Sequence, residues 1–449
     1  MFRAIKKARQ FIIACLSLWI LVSTAHAELV LEITQGVNDA LPIAIVPFKW
    51  AGSGKPPQDI AAIVTADLTR SGQFAPLPEK DMLAKPFEPQ QIRFKNWRIV
   101  DVPNLVIGKL SAVGNDTYVV EFRLFDVYRQ KQLAGFRYTL KGNQLRIIAH
   151  KISDIVYESL TGVKGAFDTK IVYIKKFPKG ARDRYRLYIS DADLHNEQEI
   201  IRHYMPILSP VWSPDNSKIA FAMAGSFGAG VFVFDLKTGK PPVRVTPHNI
   251  KASAPSWSPD GKHLALQVMA NGSSDIYTLD LDTHKLERIT HHWSIDAEPA
   301  WSPDNKSIIF TSDRGGSAQL YQYFFDSKQI KRLTFNGRQN LRAAFSPDGK
   351  LITFVHLTAN NGYNVAVMNL STGEMRIVAD SKHGESEVES PSFAPNGSMI
   401  IYAANYAPKG KKAIKAGLVV VSVDGKVRQH FVDDSAGEVR EPAWSYYFQ

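Results

Sequence analysis

The chain has 449 residues, 45% of them hydrophobic and 22% charged, and a formal net charge of +11. This is the composition of an ordinary globular protein, and the length leaves room for two domains. The single cysteine, Cys15, excludes a disulfide within the chain and a metal site built from several thiolates.

The first 27 residues predict a secretory signal peptide. Four basic residues precede an apolar run over residues 11–22, which leads to the cleavage pattern Ala25-His26-Ala27. The run is too short to span a bilayer, so we expect an exported chain that begins near Glu28 and has no membrane span. The alternative, that Cys15 is the acylation site of a lipoprotein, is disfavoured because few apolar residues precede it and many follow.

Removal of the signal peptide leaves a net charge of +7, because four Lys and Arg residues and no Asp or Glu are lost. On so long a chain this indicates a solvated positive surface rather than an anionic partner. The segment Arg93 to Arg98 interleaves basic and aromatic residues in the manner of a nucleic-acid surface. Export argues against nucleic acid, and we predict a partly buried strand there instead.

Residues 28–162 predict an α/β domain. Leu41 to Val46 has the pattern of a buried strand, and residues 59–70 have helical periodicity that ends at Ser71-Gly72. The other predicted elements are strands at 105–108, 118–128 and 132–140 and a helix at 145–160. A short glycine-containing linker at 161–165 then leads into the rest of the chain.

A repeated motif dominates residues 163–449. Its best copies are an aromatic residue followed by Ser-Pro-Asp-Gly or Ser-Pro-Asp-Asn, and successive aromatic residues are 44 to 51 positions apart. This is the length of a four-stranded propeller blade, and Pro, Asp and Gly suit successive positions of a tight turn. The aromatic positions are Trp212, Trp257, Trp301, Phe345, Phe393 and Trp444. We therefore predict an all-β, six-bladed β-propeller after the α/β domain.

The two ends of the repeat region are complementary. The last copy stops soon after Trp444 and supplies one strand, whereas residues 170–174, 186–189 and 199–202 supply three strands with no preceding motif. Joining them completes the sixth blade with strands from both ends and leaves no open edge in the ring.

No catalytic signature accompanies the repeat. The sequence lacks the Gly-x-Ser-x-Gly, His-Glu-x-x-His, P-loop and Gly-x-Gly-x-x-Gly patterns. The adjacent His291 and His292 would diverge on a strand, so they do not predict a metal site. We expect neither an enzyme nor a cofactor nor a bound metal.

The blades resemble those of the TolB family, and the resemblance extends over essentially the whole chain. A propeller repeat alone is unspecific, since peptidases and sugar-binding proteins also contain it, but the signal peptide and several segments before the repeat also match. These segments are residues 42–50 (PIAIVPFKW), 51–52, 68–74 (LTRSGQF), 96–98, 105–110 (LVIGKL), 160–162 and 165–167.

The resemblance implies a periplasmic adaptor of the Tol-Pal system. Such an adaptor links the peptidoglycan-associated lipoprotein Pal to the inner-membrane Tol complex, and supports outer-membrane integrity and envelope constriction during cell division. The expected partners are Pal and TolA, with other envelope proteins as further candidates, and the chain is expected to be a monomer.

In this family the propeller docks Pal at its channel mouth. The first strand of each blade lines the channel, so the residues just before each aromatic position should converge at one mouth. Charged groups of both signs there suit a specific docking surface. The predicted Pal-binding residues are Lys251, Ala254, Ala297, Glu298, Arg342, Glu389, Arg440 and Glu441.

In the same family the extreme N-terminus of the mature protein contacts TolA. The corresponding residues here are Glu28, Leu29, Val30, Leu31, Glu32 and Ile33. They are strand-like, so they can add to the edge of a partner's sheet. The alternative is an ordinary edge strand of the N-terminal domain, and the two states can alternate as a switch.

The competing functional interpretation is a propeller hydrolase or a glycan-binding protein that uses the same channel mouth. The missing nucleophile motif argues against the hydrolase. Binding to peptidoglycan in the absence of Pal would identify the glycan-binding protein.

Overall fold

The computed structural model describes residues 28–32 and 40–448, apart from 179, 181–183, 226–227, 271, 361, 381, 383, 407–414 and 433–436. The predicted signal peptide with Cys15, and Ile33 of the predicted TolA segment, lie outside the described residues. Among the helices that are described, none combines the length and the apolar character needed to cross a membrane.

After a short first strand, β1 (Glu28–Glu32), the chain forms an α/β unit with six strands and three helices. Its sheet is mixed: the second strand runs parallel to the fourth and fifth, and the last three form an antiparallel meander. The strands are β2 (Leu41–Ile45), β3 (Lys49–Ala51), β4 (Phe74–Pro76), β5 (Asn104–Gly114), β6 (Thr117–Asp126) and β7 (Lys131–Lys141). The helices are α1 (Ile60–Arg70), α2 (Phe94–Ile99) and α3 (Leu145–Thr161).

Helices cover both faces of this sheet because its central strands are apolar on both sides. The order is β4-β2-β5-β6-β7, with β3 paired to β5. Helices α1 and α3 pack on one face, where Leu68 and Ile152 join a buried cluster with Ile43. Helix α1 begins at the N-cap Asp59, which accepts the Ala62 N–H at 3.0 Å.

The strand predicted at residues 93–98 is wrong, because the segment forms α2. Phe94 and Trp97 are three residues apart and pack into the same cluster on the second face of the sheet. Helical periodicity permits this spacing, whereas a strand would point the two side chains to opposite faces. Trp97 is 1% exposed, while Lys95 remains in solvent.

The propeller consists of six antiparallel blades, each of which contributes its innermost strand to the channel. From the channel outwards, the strands of blade 6 are β31 (Glu438–Trp444), β8 (Lys170–Lys176), β9 (Tyr185–Asp191) and β10 (Gln198–His203). Those of blade 1 are β11 (Ile207–Trp212), β12 (Lys218–Met223), β13 (Gly230–Asp235) and β14 (Val243–Arg244). Those of blade 2 are β15 (Lys251–Trp257), β16 (His263–Ala270), β17 (Ser273–Asp280) and β18 (Leu286–Arg288).

The other three blades follow the same plan in chain order. Blade 3 comprises β19 (Asp296–Trp301), β20 (Ser307–Ser312), β21 (Gln319–Phe324) and β22 (Ile330–Arg332). Blade 4 comprises β23 (Gln339–Phe345), β24 (Leu351–Leu357), β25 (Tyr363–Asn369) and β26 (Met375–Ala379). Blade 5 comprises β27 (Glu385–Phe393), β28 (Met399–Tyr406), β29 (Lys415–Ser422) and β30 (Arg428–Val432).

The repeated Ser-Pro-Asp motif closes the hairpin between the first two strands of a blade. In blade 2, the Ser258 hydroxyl donates to Asp260 Oδ1 at 2.6 Å and accepts the His263 N–H at 2.9 Å. The corresponding serine–aspartate bond recurs in blades 1, 3 and 4. In blade 1, hydrogen bonds from Ser213 and Ser217 lower the pKa of Asp215 to about 2. The residues of the motif therefore supply the side-chain hydrogen bonds that stabilise their own turn.

The predicted closure of the ring is confirmed. Strand β31 pairs with β8, from Glu438 opposite Lys176 to Trp444 opposite Ile171, so blade 6 combines the C-terminal strand with three strands from residues 170–203. The C-terminal tail then binds blade 1. The Asn216 side-chain amide donates to the carbonyls of Tyr446 and Tyr447 at 3.0 and 2.9 Å, and accepts the Tyr446 N–H at 2.9 Å.

Strand β1 extends blade 5 to five strands. It pairs antiparallel with β30, with Glu28 opposite Val432 and Glu32 opposite Arg428. The alternative of an edge strand in the N-terminal domain is therefore wrong. The physical reason is that the outermost strand of a blade has unpaired backbone groups, which a fifth strand can satisfy.

Asn216→Gly tests the hydrogen bonds by which Asn216 holds the C-terminal tail on blade 1. Asn216 has a φ of 56°, so glycine fits the backbone without strain and only the side-chain hydrogen bonds are lost. We expect the free energy of unfolding, measured by urea denaturation, to fall by about 1–3 kcal/mol.

The matched control is Asn305→Gly. Asn305 occupies the same turn position in blade 3, with a φ of 62°, and its amide donates to Asp260 at 3.1 Å on the exposed surface. We expect a clearly smaller loss, and equal losses in the two variants would show that the contacts of Asn216 with the C-terminal tail add no stability beyond that of the exposed turn.

Candidate docking site at the channel mouth

Six residues form a ring inside the channel, one from each innermost strand, which we call the channel ring. Each lies three positions before the aromatic residue of its blade, at a break in the strand register, and has a φ between 48° and 52°. Such a bulge leaves one residue outside the ladder and redirects its side chain. The members are Ser209, Ala254, Glu298, Arg342, Ser390 and Glu441.

The polar members of the channel ring bind one another across blades. Glu298 accepts the backbone N–H of Arg342 at 3.0 Å and the Arg342 Nε–H at 2.9 Å. Glu441 accepts the backbone N–H of Ser209 and so joins the last blade to the first. Arg342 Nη1 donates to Ser390 Oγ at 2.6 Å and lies 3.9 Å from Glu441 Oε1. The ring is therefore held in place by its own contacts.

Arg342 is the central charge of the ring. Burial opposes its charge, but the carboxylates of Glu441, Glu298 and Glu389 outweigh burial and raise the pKa of Arg342. Burial raises the pKa of Glu441, which is only 4% exposed, although Arg342 opposes this rise. Arg342 thus supplies the counter-charge of a nearly buried carboxylate.

A second ion pair lies directly beside the ring. Arg440 donates to both carboxylate oxygens of Glu389, through Nε at 3.0 Å and Nη2 at 2.9 Å. The hydrogen bond to Glu389 raises the pKa of Arg440. This bidentate pair joins blades 5 and 6, and both side chains are partly exposed, so a partner can reach them.

The mouth beside this second ion pair faces away from the α/β unit. The innermost strands begin at this end, and the turns between first and second strands lie at the other end. At that other end, the Asn396 amide of the fifth turn donates to the linker carbonyl of Lys164 at 3.1 Å. The channel ring lines a cavity of about 150 Å³. The α/β unit therefore leaves this mouth open.

Four of the eight predicted mouth residues belong to the channel ring and line the cavity: Ala254, Glu298, Arg342 and Glu441. Ala297, Glu389 and Arg440 directly precede ring positions on their innermost strands. Lys251 is the exposed first residue of β15 and is not among the residues that line the cavity.

Two members of the channel ring were missed by sequence reasoning. Ser209 and Ser390 stand three positions before Trp212 and Phe393, which is the same spacing as the other four. The repeat thus contained the signal. The predicted set of six charged residues and two alanines omitted these two hydroxyl groups, one of which binds Arg342.

Three exposed aromatic side chains, which we call the aromatic rim, also surround the mouth. Trp293, Phe335 and Tyr204 are 80%, 70% and 61% exposed. Each lies on a loop that joins the outermost strand of one blade to the innermost strand of the next, so each emerges at the mouth end. Large exposed aromatic side chains are typical anchors of protein interfaces. Sequence reasoning missed them because these loops lie outside the repeated turn.

The two predicted contact regions meet on blade 5. Glu389 lies on β27, the innermost strand, and β1 pairs with β30, the outermost strand of the same sheet. The predicted TolA segment therefore occupies a sheet edge of its own chain, and its transfer into a partner's sheet in place of this pairing would first separate it from β30.

The described residues contain one group with the spacing of metal ligands, formed by Asp67, His150 and Asp193, whose ligand atoms lie within 4.8 Å of one another. Arg70 donates to Asp67, and Arg146 donates to Asp193. A guanidinium group thus already binds each of the two carboxylates. The group is an ion-pair network where the α/β unit meets blade 6, and it is not suited to a cation.

Comparisons with known proteins agree with this architecture. The family model described as the TolB beta propeller domain matches residues 157–448, and the one described as the TolB amino-terminal domain matches residues 29–133. A protein named Tol-Pal system protein TolB from Nitrosococcus oceani is 51% identical over 433 residues, 96% of each chain. One of the same name from Thioalkalivibrio sulfidiphilus is 52% identical over 422 residues, 94% of each chain. The crystal structure of TolB from Acinetobacter baumannii has a TM-score of 0.82 at 36% identity, covering 94% of this chain and 100% of that chain.

Arg342→Met tests the electrostatic role of the ring. It keeps much of the side-chain volume but leaves Glu441 nearly buried without its counter-charge, so we expect a loss of about 2–4 kcal/mol in the free energy of unfolding at pH 8. Because burial already raises the pKa of Glu441, this carboxyl takes up a proton as the pH falls, and the loss should be smaller at pH 5.

Chemical denaturation at the two pH values measures both effects. The control is Lys331→Met on the exposed face of β22, for which we expect a change below about 0.5 kcal/mol at either pH. A loss in Arg342→Met that does not depend on pH would contradict the assigned role.

Proposed function

The chain belongs to the TolB family of Tol-Pal system proteins, and on this premise we propose that it is a non-catalytic periplasmic adaptor. It links the outer-membrane lipoprotein Pal to TolA of the inner-membrane Tol complex. Through this link it supports outer-membrane integrity and envelope constriction during cell division.

The observation that carries the proposal is the open channel mouth. The channel ring provides charges that are held in place before a partner arrives, which favours specificity and orientation. The aromatic rim provides the large apolar side chains that contribute most of the binding energy at protein interfaces. The cavity of about 150 Å³ is smaller than most small-molecule sites. A protein that covers the mouth therefore suits this surface better than a small substrate.

For TolA we propose contact with residues 28–33 by addition of β1 to a sheet of the partner. Strand β1 shares only five residue pairs with β30, and no further strand of the described chain covers it. Transfer to a partner's sheet would exchange one set of backbone hydrogen bonds for another, so the net cost is small.

Trp293→Ala tests docking of Pal at the mouth. Trp293 is 80% exposed, so its replacement should leave the free energy of unfolding nearly unchanged. It should, however, remove a large aromatic contact with Pal. We expect at least about tenfold weaker binding of Pal, as for a hot-spot residue, in a calorimetric titration of the mature chain with soluble Pal from the same bacterium.

The matched control is Phe136→Ala, an aromatic residue on β7 of the α/β unit that is 52% exposed. Its affinity for Pal should equal that of the unmodified protein. Unchanged binding in Trp293→Ala would remove the aromatic rim from the site. Absence of Pal binding by the unmodified chain, together with retention on purified peptidoglycan, would favour a glycan-binding protein.

A reversible cross-link tests the role of β1. Leu31 and Gln429 are opposite each other in the β1–β30 pairing, and the exported chain would contain no native cysteine. The double variant Leu31→Cys, Gln429→Cys should form a disulfide on oxidation that holds β1 on blade 5. We expect the oxidised protein to lose TolA binding and the reduced protein to regain it.

Binding of Pal serves as the internal control and should be the same in both redox states. The single variant Leu31→Cys should bind TolA whether oxidant is present or not. Normal TolA binding by the fully oxidised double variant would rule out the transfer of β1 from blade 5 to a partner's sheet.

A further inference from the structure

A buried ion-pair network joins the α/β unit to the propeller. Helix α1 contributes Asp67 and Arg70, helix α3 contributes Arg146 and His150, and the hairpin between β9 and β10 of blade 6 contributes Asp193. None of the five side chains is more than 14% exposed. Interactions between such buried charges depend strongly on the protonation of each member.

His150 is the titratable centre of this network. Its Nδ1 lies 2.8 Å from Asp67 Oδ2, and its Nε2 lies 3.7 Å from Asp193 Oδ2. The Nε2 atom is buried and has no hydrogen-bond partner. A neutral imidazole carries one N–H and can serve only one of the two carboxylates, whereas an imidazolium carries two and can serve both.

Each element around His150 brings charged groups toward it. From α1, Arg70 donates to Asp67 and also lies 3.5 Å from Asp193. From its own helix, Arg146 donates to Asp193 and Ser153 donates to Asp67 at 2.7 Å. The two arginines oppose a positive charge on His150, and the two carboxylates favour it.

Further charges lie at the edge of the network. In blade 6, Asp191 accepts from Lys170 at 2.9 Å and lies 3.8 Å from Arg146. Asp193 also faces His195, whose Nδ1 is 3.5 Å away and whose side chain is 63% exposed. Near the linker, Asp168 lies 4.0 Å from Lys151. Each of these groups therefore has an ion-pair partner of its own at the edge of the network. His150 differs from them because it lies between a carboxylate of the α/β unit and one of the propeller.

The balance of these charges favours the protonated imidazole. Burial opposes protonation, but the attraction and hydrogen bond of Asp67, followed by the attraction of Asp193, outweigh burial and Arg70, and the pKa of His150 is raised. The docked arrangement therefore prefers the protonated form. Its contribution to stability is complete below the ordinary histidine pKa of about 6.5 and is lost as the pH rises through the raised value.

We propose that His150 is a proton-dependent latch that, when protonated, bridges Asp67 of the α/β unit and Asp193 of the propeller, and when neutral holds Asp67 alone. The junction between the two units then loosens as the pH rises. The latch would operate whether or not Pal and TolA are the partners of this chain.

The residues around His150 also lie close to the strand that holds the N-terminal strand β1. Arg70, Arg146 and Asp193 line a groove of about 500 Å³ together with Phe431. Phe431 belongs to β30, the strand on which β1 is paired. A looser junction therefore changes the surroundings of β1.

Hydrogen–deuterium exchange of the mature protein at pH 6.0 and pH 8.5 tests the latch. Exchange is corrected for the intrinsic pH dependence and followed in α3 and in the hairpin between β9 and β10. We expect protection of both segments to fall several-fold at pH 8.5. His150→Gln keeps a donor for Asp67 but cannot take up a proton, so it should show the lower protection at both pH values.

Unchanged protection in the unmodified protein, or a pH difference in His150→Gln as large as that in the unmodified protein, would overturn the proposal. The control His195→Gln removes the exposed imidazole beside Asp193 and should keep the pH difference. Asp154 of α3, whose pKa burial raises to about 7, titrates in the same range and accepts the N–H of Phe167, just after the linker. Asp154 is present in every variant, so the test compares the size of the pH difference in each variant with that in the unmodified protein.

A second variant keeps the test decisive if His150→Gln does not fold. Asp193→Asn removes the carboxylate on the propeller side and leaves the contact of His150 with Asp67 in place. In the full chain with ¹⁵N-labelled histidine, NMR titration should then give a lower pKa for His150 than in the unmodified protein. An equal pKa in the two proteins would overturn the proposal.

Discussion

The pairing of β31 with β8 is the contact on which the rest of the structure depends. It joins residues 438–444 to residues 170–176, and without it the ring of blades would have two open edges and no enclosed channel. Closure also determines where the charged residues of the channel ring lie. The contact of Glu441 with the Ser209 N–H exists only because the last blade is brought beside the first.

Within the closed ring, the same β-bulge occurs once in each of the six innermost strands. A bulge three positions before each aromatic residue places one side chain in the channel. The fold repeats the backbone geometry while the side chains differ, so a symmetric scaffold carries an asymmetric surface. Glu298, Arg342 and Glu441 occupy blades 3, 4 and 6, whereas blades 1, 2 and 5 contribute small residues. The charges and the aromatic rim together distinguish one side of the mouth from the other, as docking of a protein in a single orientation requires.

The α/β unit is joined to this ring in two chemically different ways. The linker and the C-terminal tail meet near Lys164, whose ammonium lies 3.9 Å from the centre of the Tyr447 ring and whose carbonyl accepts from Asn396. The network around His150 adds buried charges where the α/β unit meets blade 6. Phe431 of β30, the strand that pairs with β1, lines the same groove as Arg70, Arg146 and Asp193. A change at the junction can therefore reach the N-terminal strand through β30.

The sequence by itself determined the class of fold, the number of blades and the way in which the ring closes. These features follow from local chemistry. The Ser-Pro-Asp turn is stabilised by hydrogen bonds between its own residues, and the number of aromatic positions equivalent to Trp212 and Trp257 gives the number of blades. Four of the six channel-ring positions were also recognised from the repeat. Helix α2 was mistaken for a strand because its alternating basic and aromatic residues concealed the three-residue spacing of Phe94 and Trp97. Only the tertiary structure decided the pairing of β1 with β30, the contact of Glu298 with Arg342 and the position of His150 between Asp67 and Asp193. Each of these joins residues that are distant in the chain, so the side chains that meet depend on how the blades and the α/β unit pack, which no local pattern of residues specifies.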